Sequence, residues 1–383
     1  MRHTSLLNNF GLISDKSKIA WLRLARTRNI GARTFFDLLR MFVTPEAALE
    51  QLPNMAKRGG AKKFTVASID QIEREIDYSE RFKAKIILLC EDEYPFLLRQ
   101  IFDPPPVIVV RGDVSLLEKK QIAIVGARNA STNGCIMAKR LAQDLSRGGY
   151  VITSGLAKGI DASAHAGALA CGTIGVIAGG IDHVYPKENE WIYKLLYEKG
   201  LVVTEQAISQ LPIAKYFPQR NRIIAGMSQA IVIVEAAKKS GTLITARLGL
   251  EYGREVFAVP GSPLDLRYQG TNGLIKQGAV LVEDAEDVLR EMVTNTKFQE
   301  GTACAESGSS FSPAKQRVPT ESELEKYRGT VLNKLSFSPV YLEDLIEDLA
   351  NVPTKIIHLL LLELELAGRI ERTSGNRITL IAL

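Results

Sequence analysis

The feature that most constrains this 383-residue sequence is an alternation running from residue 85 to residue 295. Nine short apolar runs stand out: KIILLC, PVIVVRG, QIAIVGA, YVITSGL, TIGVIAGG, LVVTEQ, QAIVIVEA, REVFAVPG and AVLVED. Helical patterns such as CIMAKRLAQDLSRGG and NEWIYKLLYEKG separate most of them. Several runs are apolar on both faces, as strands of a parallel sheet covered by helices must be. Strand–helix alternation of this regularity specifies a doubly wound α/β domain over 85–295.

The flanks differ in kind. Residues 1–84 read as a small helical domain, because IAWLRLARTRNI and RTFFDLLRMF space their apolar residues by three and four. Thr44-Pro45 carries the cap and first-turn residues of a further helix, and another is expected over 68–84. Residues 296–320 are poor in large aliphatic side chains and read as a linker. Residues 321–383 give three helical segments and a closing hairpin with Ser374, Gly375 and Asn376 at its turn, the order of a winged-helix domain.

Composition narrows the class. Hydrophobic residues at 46% and charged residues at 24% exclude a wholly disordered or collagen-like chain. No run approaches the ~18 consecutive apolar residues of a membrane-spanning helix, and the first residues lack the apolar core of a signal peptide. A cytoplasmic protein with no membrane partner is therefore expected. Cys90, Cys135, Cys171 and Cys304 lie far apart with no CxxC pair, so neither a disulfide framework nor a structural zinc is expected. The net charge of +5 is unevenly distributed: residues 1–80 carry +4, 81–295 carry +3, 296–320 carry +1 and 321–383 carry −3. The third helical segment of the acidic tail sets Glu363 and Glu365 against Lys355 and His358. A duplex-reading helix should be basic. This domain is therefore expected to contact protein, either a sister subunit or another protein factor, although Arg369, Arg372 and Arg377 on the hairpin argue the other way.

Open α/β sheets bind ligands at the carboxyl ends of their strands. Four strand ends here have anion-accepting chemistry. The first is QIAIVGARNAS, where Gly126 follows the strand, Arg128 lies in the turn and Ser131 can cap the next helix. It is not a dinucleotide fingerprint: Gly134 comes too late, and no acidic residue ends YVITSG. The second carries Ser154, Gly155, Lys158 and Gly159, with Asp161 and His165 one helical turn apart as a capping and orienting pair. The third, AKYFPQRNR, interleaves Lys215, Arg220 and Arg222 with Tyr216 and Phe217 and adds Asn221. Cations for phosphates and a ring for a base suit a single strand. The fourth has Ser240, Gly241 and Thr242 before a helix and Arg254 as a further phosphate contact. Four such ends on one edge make a line, which a repeating polyanion uses and a mononucleotide does not. No catalytic residue, metal ligand or cofactor is assigned.

In combination, GARNAS, SGLAKGIDASAH, YPKEN, FPQRNRIIAG, EAAKKSGTLITARLGLEYGREVFAVPG and GTNGLIKQGA strongly resemble the DNA-processing protein A (DprA, or Smf) family. NIGARTFFDLLRMFVTPEAAL is similar to the family's sterile-alpha-motif-like N-terminal domain, and LLLLELELAGRIER to its winged helix. The resemblance implies a Rossmann-like central domain that binds single-stranded DNA and dimerises. It further implies a bacterial, non-enzymatic mediator that protects incoming strands and loads RecA recombinase on them in natural transformation. Gly126 and Arg128 would hold phosphates. Lys215, Phe217, Arg220 and Asn221 would continue the pocket, shaped by Ser154, Gly155, Gly159 and the Ser240, Gly241 and Thr242 turn. Lys158 stands where the family often carries arginine, keeping charge without the bidentate fork. The rival reading is a nucleotide-processing, phosphoribohydrolase-like enzyme, against which Pro260-Gly261-Ser262-Pro263 fails to continue as PGGxGTxxE.

Overall fold

A computed structural model of the chain describes residues 14–301, 319–373 and 376–381. Two compact units emerge, one within 74–306 and one that joins 3–73 to 307–383.

Four helices come first: α1 (Asp15–Arg26), α2 (Ala32–Phe42), α3 (Pro45–Arg58) and α4 (Ile69–Arg81). The Thr44 hydroxyl accepts the Ala47 N–H at 3.2 Å, and Pro45 opens α3. Trp21 and Phe35 are fully buried with ring centroids 4.9 Å apart.

The nine apolar runs become nine strands of one sheet. In chain order come β1 (Lys85–Leu88), the short α5 (Phe96–Arg99), β2 (Val107–Gly112), β3 (Gln121–Val125), α6 (Thr132–Arg147), β4 (Val151–Ser154), α7 (Ile160–Ala168), β5 (Thr173–Val176), α8 (Glu190–Lys199) and β6 (Leu201–Thr204). Then follow α9 (Tyr216–Met227), β7 (Ala230–Ile233), α10 (Thr242–Glu251), β8 (Glu255–Ala258), α11 (Gln269–Lys276), β9 (Val280–Leu281) and α12 (Ala285–Gly301). The spatial order is β1-β2-β6-β5-β4-β3-β7-β8-β9. From β6 to β9 every pairing is parallel, while β2 runs antiparallel to β6 and β1 to β2. The antiparallel edge has a local cause: α5 is one turn long and cannot carry a crossover, so β1 and β2 fold back on each other. On one face of the sheet, Ile122, Ile124, Ile152, Val232 and Phe257 form a buried core with residues of α6, α7 and α12. The α12 helix continues through 296–301, where a linker was expected, and residues 302–318 lie outside the described residues.

The chain closes with α13 (Glu321–Lys334), β10 (Val340–Tyr341), α14 (Leu342–Asp348), α15 (Thr354–Leu366), β11 (Ile370–Thr373) and β12 (Arg377–Leu380). Its small sheet is ordered β10-β12-β11. This is the winged helix; of the expected hairpin turn, Ser374 and Gly375 lie outside the described residues.

The third helix of that winged helix, α15, contacts protein, but the protein is this chain's own N-terminal domain. Glu363 is fully buried and bridges Arg58 of α3 at 2.6 Å and Arg328 of α13 at 2.9 Å. A Cβ at Gly59 would lie 2.0 Å from the Glu363 carbonyl oxygen, so the end of α3 meets α15 backbone to backbone and only glycine fits. Asn29 donates to the Leu366 carbonyl at 3.1 Å, and Arg33 to Asn376 at 3.1 Å. Two hairpin arginines are also engaged here. Arg372 pairs with Glu365 and Asp37, and Arg377 donates to the Tyr341 hydroxyl while lying 4.7 Å from its ring centre. Glu363 and Glu365 are therefore both paired within this unit.

Candidate nucleic-acid interface

The chain leaves β3 toward β4 on one side, and β7 joins β3 from the other. A doubly wound sheet opens a crevice at such a reversal, outside the carboxyl ends of the strands. The β3 and β7 ends are tied there by the Thr242 hydroxyl, which donates to the Gly126 carbonyl at 3.0 Å.

Three side chains meet at this rim. Arg128 is exposed, and its guanidinium carbon lies 5.2 Å from the centre of the Phe217 ring, within cation–π range. Phe217 is half-buried at the start of α9, and its centroid is 5.6 Å from that of Tyr185, edge to face. Tyr185 is 46% exposed. Its backbone carbonyl accepts the hydroxyl of the buried Tyr193 at 2.9 Å, which fixes the loop that presents it. Tyr185 was not singled out as a site residue from the sequence. The available signal was an aromatic beside Lys187 in YPKEN, one strand end away from Lys158.

Lys215 is exposed just ahead of Phe217, with its ammonium 5.2 Å from the Tyr216 ring centre. Asn221, one turn along α9, donates to the Gly241 carbonyl at 3.4 Å. Lys158 pairs with Glu188 at 2.5 Å; both side chains are more than half exposed, and a phosphate displaces such a pair readily. Gly159 has φ +76°, and a Cβ there would lie 2.4 Å from the Ala127 carbonyl oxygen, so this turn requires glycine.

Several expected phosphate contacts face inward instead. Arg220 is 6% exposed, and its guanidinium donates to the carbonyls of Gly155 and Val176. It lies beneath the rim beside the buried Asp161. Burial raises the Asp161 carboxyl, opposed by Arg220 and by N–H donation from Ala157 and Gly126. Arg222 is bound to Glu205 and to the Asp103 carbonyl. Arg254 donates to the Leu97 and Gly226 carbonyls. Ser154 is fully buried and donates to the Ile124 carbonyl at 2.6 Å. Ser131 does cap α6, accepting the Gly134 N–H at 2.9 Å. Its own hydroxyl and N–H, however, donate to the fully buried Glu235, so an internal carboxylate occupies the place a phosphate was expected to take. Ser240 accepts the Thr242 N–H at 3.2 Å within its own turn, and Gly241 is exposed. The common cause is the doubly covered sheet. Polar groups under the helices must find internal partners, and the strand-end sequence supplies them.

His165 is fully buried. The Thr173 hydroxyl donates to the Ile152 carbonyl, so the His165 Nδ1 carries the proton it donates to Thr173 at 2.9 Å. Burial, with Arg220 adding to it, lowers its pKa from 6.5 to about 3. Asp161 and His165 therefore do not pair as expected: Asp161 accepts the Ala157 N–H, and His165 is bound to Thr173. Among the described residues no group of three or more His, Cys, Asp or Glu side chains could hold a metal ion, and no helix is long and apolar enough to cross a membrane.

The model of the DNA recombination-mediator protein A family matches residues 85–293, that of the DprA-like N-terminal HHH domain 15–77, and that of the DprA winged helix domain 314–376. The chain belongs to the DNA recombination-mediator protein A family. It is 34% identical to protein Smf of Escherichia coli over 325 residues, 84% of each chain. It is 44% identical to DNA processing protein DprA of Bacillus subtilis over 209 residues, 54% of this chain and 70% of that one. The crystal structure of DprA from Streptococcus pneumoniae superposes with a TM-score of 0.60 at 33% identity, covering 73% of this chain and 99% of the other. DprA from Helicobacter pylori, whose structure describes its single-stranded-DNA binding mode, matches with a TM-score of 0.52 at 28% identity, covering 56% and 97%.

Proposed function

We propose that this chain binds single-stranded DNA along the rim of its central sheet, makes and breaks no bond there, and protects the strand while RecA is loaded on it in natural transformation. The observation that carries the reading is the exposed cluster of Arg128, Phe217 and Tyr185. A guanidinium beside two accessible rings holds a phosphate and offers faces to bases, and every base has a face to offer. Lys215 and Lys158 extend the positive charge on either side. Kinship with the Helicobacter pylori protein supports the strand as ligand. Dimerisation and cytoplasmic location belong to the same proposal.

An enzymatic reading would lean on Asp161 and His165, whose bonds lie in the interior. The test is fluorescence anisotropy with labelled single and double strands of equal length and composition, together with incubation of the protein with nucleoside monophosphates. Preference for the single strand without base release supports the proposal, and steady base release overturns it. The RecA step is tested by following filament growth on a strand with and without the chain.

A further inference from the structure

Past Arg128 the rim continues into a shallow, open hollow. Asn129, the next residue, lines it together with Ser262, Leu264, Asp265, Leu266 and Arg267, around a volume of about 590 Å³. The wall is the connection between β8 and α11. In the sheet, β8 lies two strands from β3. At about 4.8 Å per strand the hollow therefore sits roughly 10 Å further along the same edge.

This connection is held firmly. The Tyr268 ring packs against Gly261, where a Cβ would lie 2.1 Å from it, and Glu235, which holds the turn bearing Arg128 and Asn129, acts on its hydroxyl. Asn272 clamps Gly261 from both sides, donating to its carbonyl at 2.9 Å and accepting its N–H at 3.2 Å. Asp265 accepts the Arg267 N–H at 3.0 Å and pairs with the Arg267 guanidinium at 2.7 Å. All this holds two large apolar side chains out in water: Leu264 is 94% exposed and Leu266 67%. A loose loop would fold its leucines inward, but this one is bonded in a form that displays them. That arrangement suits a ligand surface better than a plain connection.

We infer that the hollow is the next stretch of the nucleic-acid track, in which Leu264 and Leu266 underlie bases while Asn129 and Arg267 hold the backbone. The inference rests on the strand-binding reading given above. Continuity selects the strand over a protein as occupant, because Arg128 of the rim cluster and Asn129 of the hollow are consecutive. Charge agrees with this choice. Asp265 is already neutralised by Arg267, whose side chain is 42% exposed, and Glu235 is satisfied internally by Ser131. The leucines and the arginine were not assigned from the sequence. The loop lies beyond a proline-glycine turn that reads as a bare connection.

The experiment is anisotropy with oligothymidylates of increasing length on the full chain, comparing wild type with the double variant Leu264→Ser, Arg267→Gln. Both positions are exposed, and a melting curve checks the fold. Strands long enough to span both the rim cluster and the hollow should bind the variant about tenfold more weakly, with a salt slope lower by roughly 0.7, the effect of one lost phosphate contact and a lost base platform. The shortest strand that wild type still holds should bind both proteins alike. Equal affinity at every length overturns the inference. Loss of self-association at unchanged strand affinity would assign the leucines to a second copy of the chain and overturns it too. If strand binding needs Arg128 but not this loop, the inference alone fails; if no strand binds the intact chain, the strand-binding reading fails with it.

Discussion

Replacing Arg220 by alanine separates a ligand contact from a structural one, because the sequence reads this arginine as a phosphate contact and the fold buries it. Its guanidinium supplies the donors to two buried carbonyls, those of Gly155 and Val176, and faces the 5%-exposed Asp161. Each carbonyl left without a donor costs about 1–3 kcal/mol, although the terms overlap because water entering the vacated space satisfies part of the deficit. Asp161 also loses the nearby positive charge that opposes the effect of its burial. A loss of about 4 kcal/mol is the expected outcome, a large part of the roughly 5–15 kcal/mol by which domains are stable. Urea unfolding reads it as a lower midpoint at unchanged m value. The folded fraction should keep the wild-type salt dependence of strand binding, because no phosphate contact has been removed. Arg220→Lys, which keeps the charge and loses the fork, should recover only part of the stability. A variant as stable as wild type, with a salt slope lower by roughly 0.7, would show that the side chain swings out to a phosphate and would refute the reasoning.

Three further outcomes are expected. Arg128→Ala should leave the unfolding midpoint within about 0.5 kcal/mol of wild type while lowering the single-strand salt slope by roughly 0.7; Phe217→Ala and Tyr185→Ala should each weaken binding by about 1–3 kcal/mol, measured by anisotropy, if the rings stack on bases. Glu363→Ala should destabilise the unit formed by the two ends of the chain by about 3 kcal/mol, because Arg58 and Arg328 lose their shared counter-charge, and should leave strand binding at the central rim unchanged; an unaltered unfolding profile would show that the bridge does not hold the unit together. The buried His165 makes the central domain acid-sensitive. Its folded pKa is about 3 against 6.5 for the free side chain, so below about pH 6.5 the unfolded chain takes up a proton that the folded chain refuses. Stability is then full above that pH and falls as pH drops toward 3, by up to about 1.4 kcal/mol per unit. Asp161, with its raised carboxyl, slopes the other way at the acid end of this window. In urea melts His165→Gln should flatten the decline between about pH 6.5 and 5, and an unchanged decline would assign it to other groups.

The alternation of apolar runs sufficed to place nine strands and the helices between them, because period and length are local properties that tertiary contacts left intact here. The same holds for the capped start of α3 at Thr44 and Pro45 and for the three helices and hairpin of the tail. Strand direction at the edge required knowing that α5 is a single turn. Which polar residues face solvent was decided by packing. Arg128 and Arg220 look alike in sequence, yet one lies in a turn above the sheet and the other on the buried face of α9, where the Gly155 and Val176 carbonyls and Asp161 need a donor and a counter-charge. Ser131 and Glu235 are 104 residues apart. Only the fold shows that the carboxylate fills the helix start. The partner of the winged helix was likewise out of reach of local pattern. Glu363 reads as a surface acid until the first and last segments of the chain are brought together around it, and burial then requires the two arginines that no spacing rule connects to it.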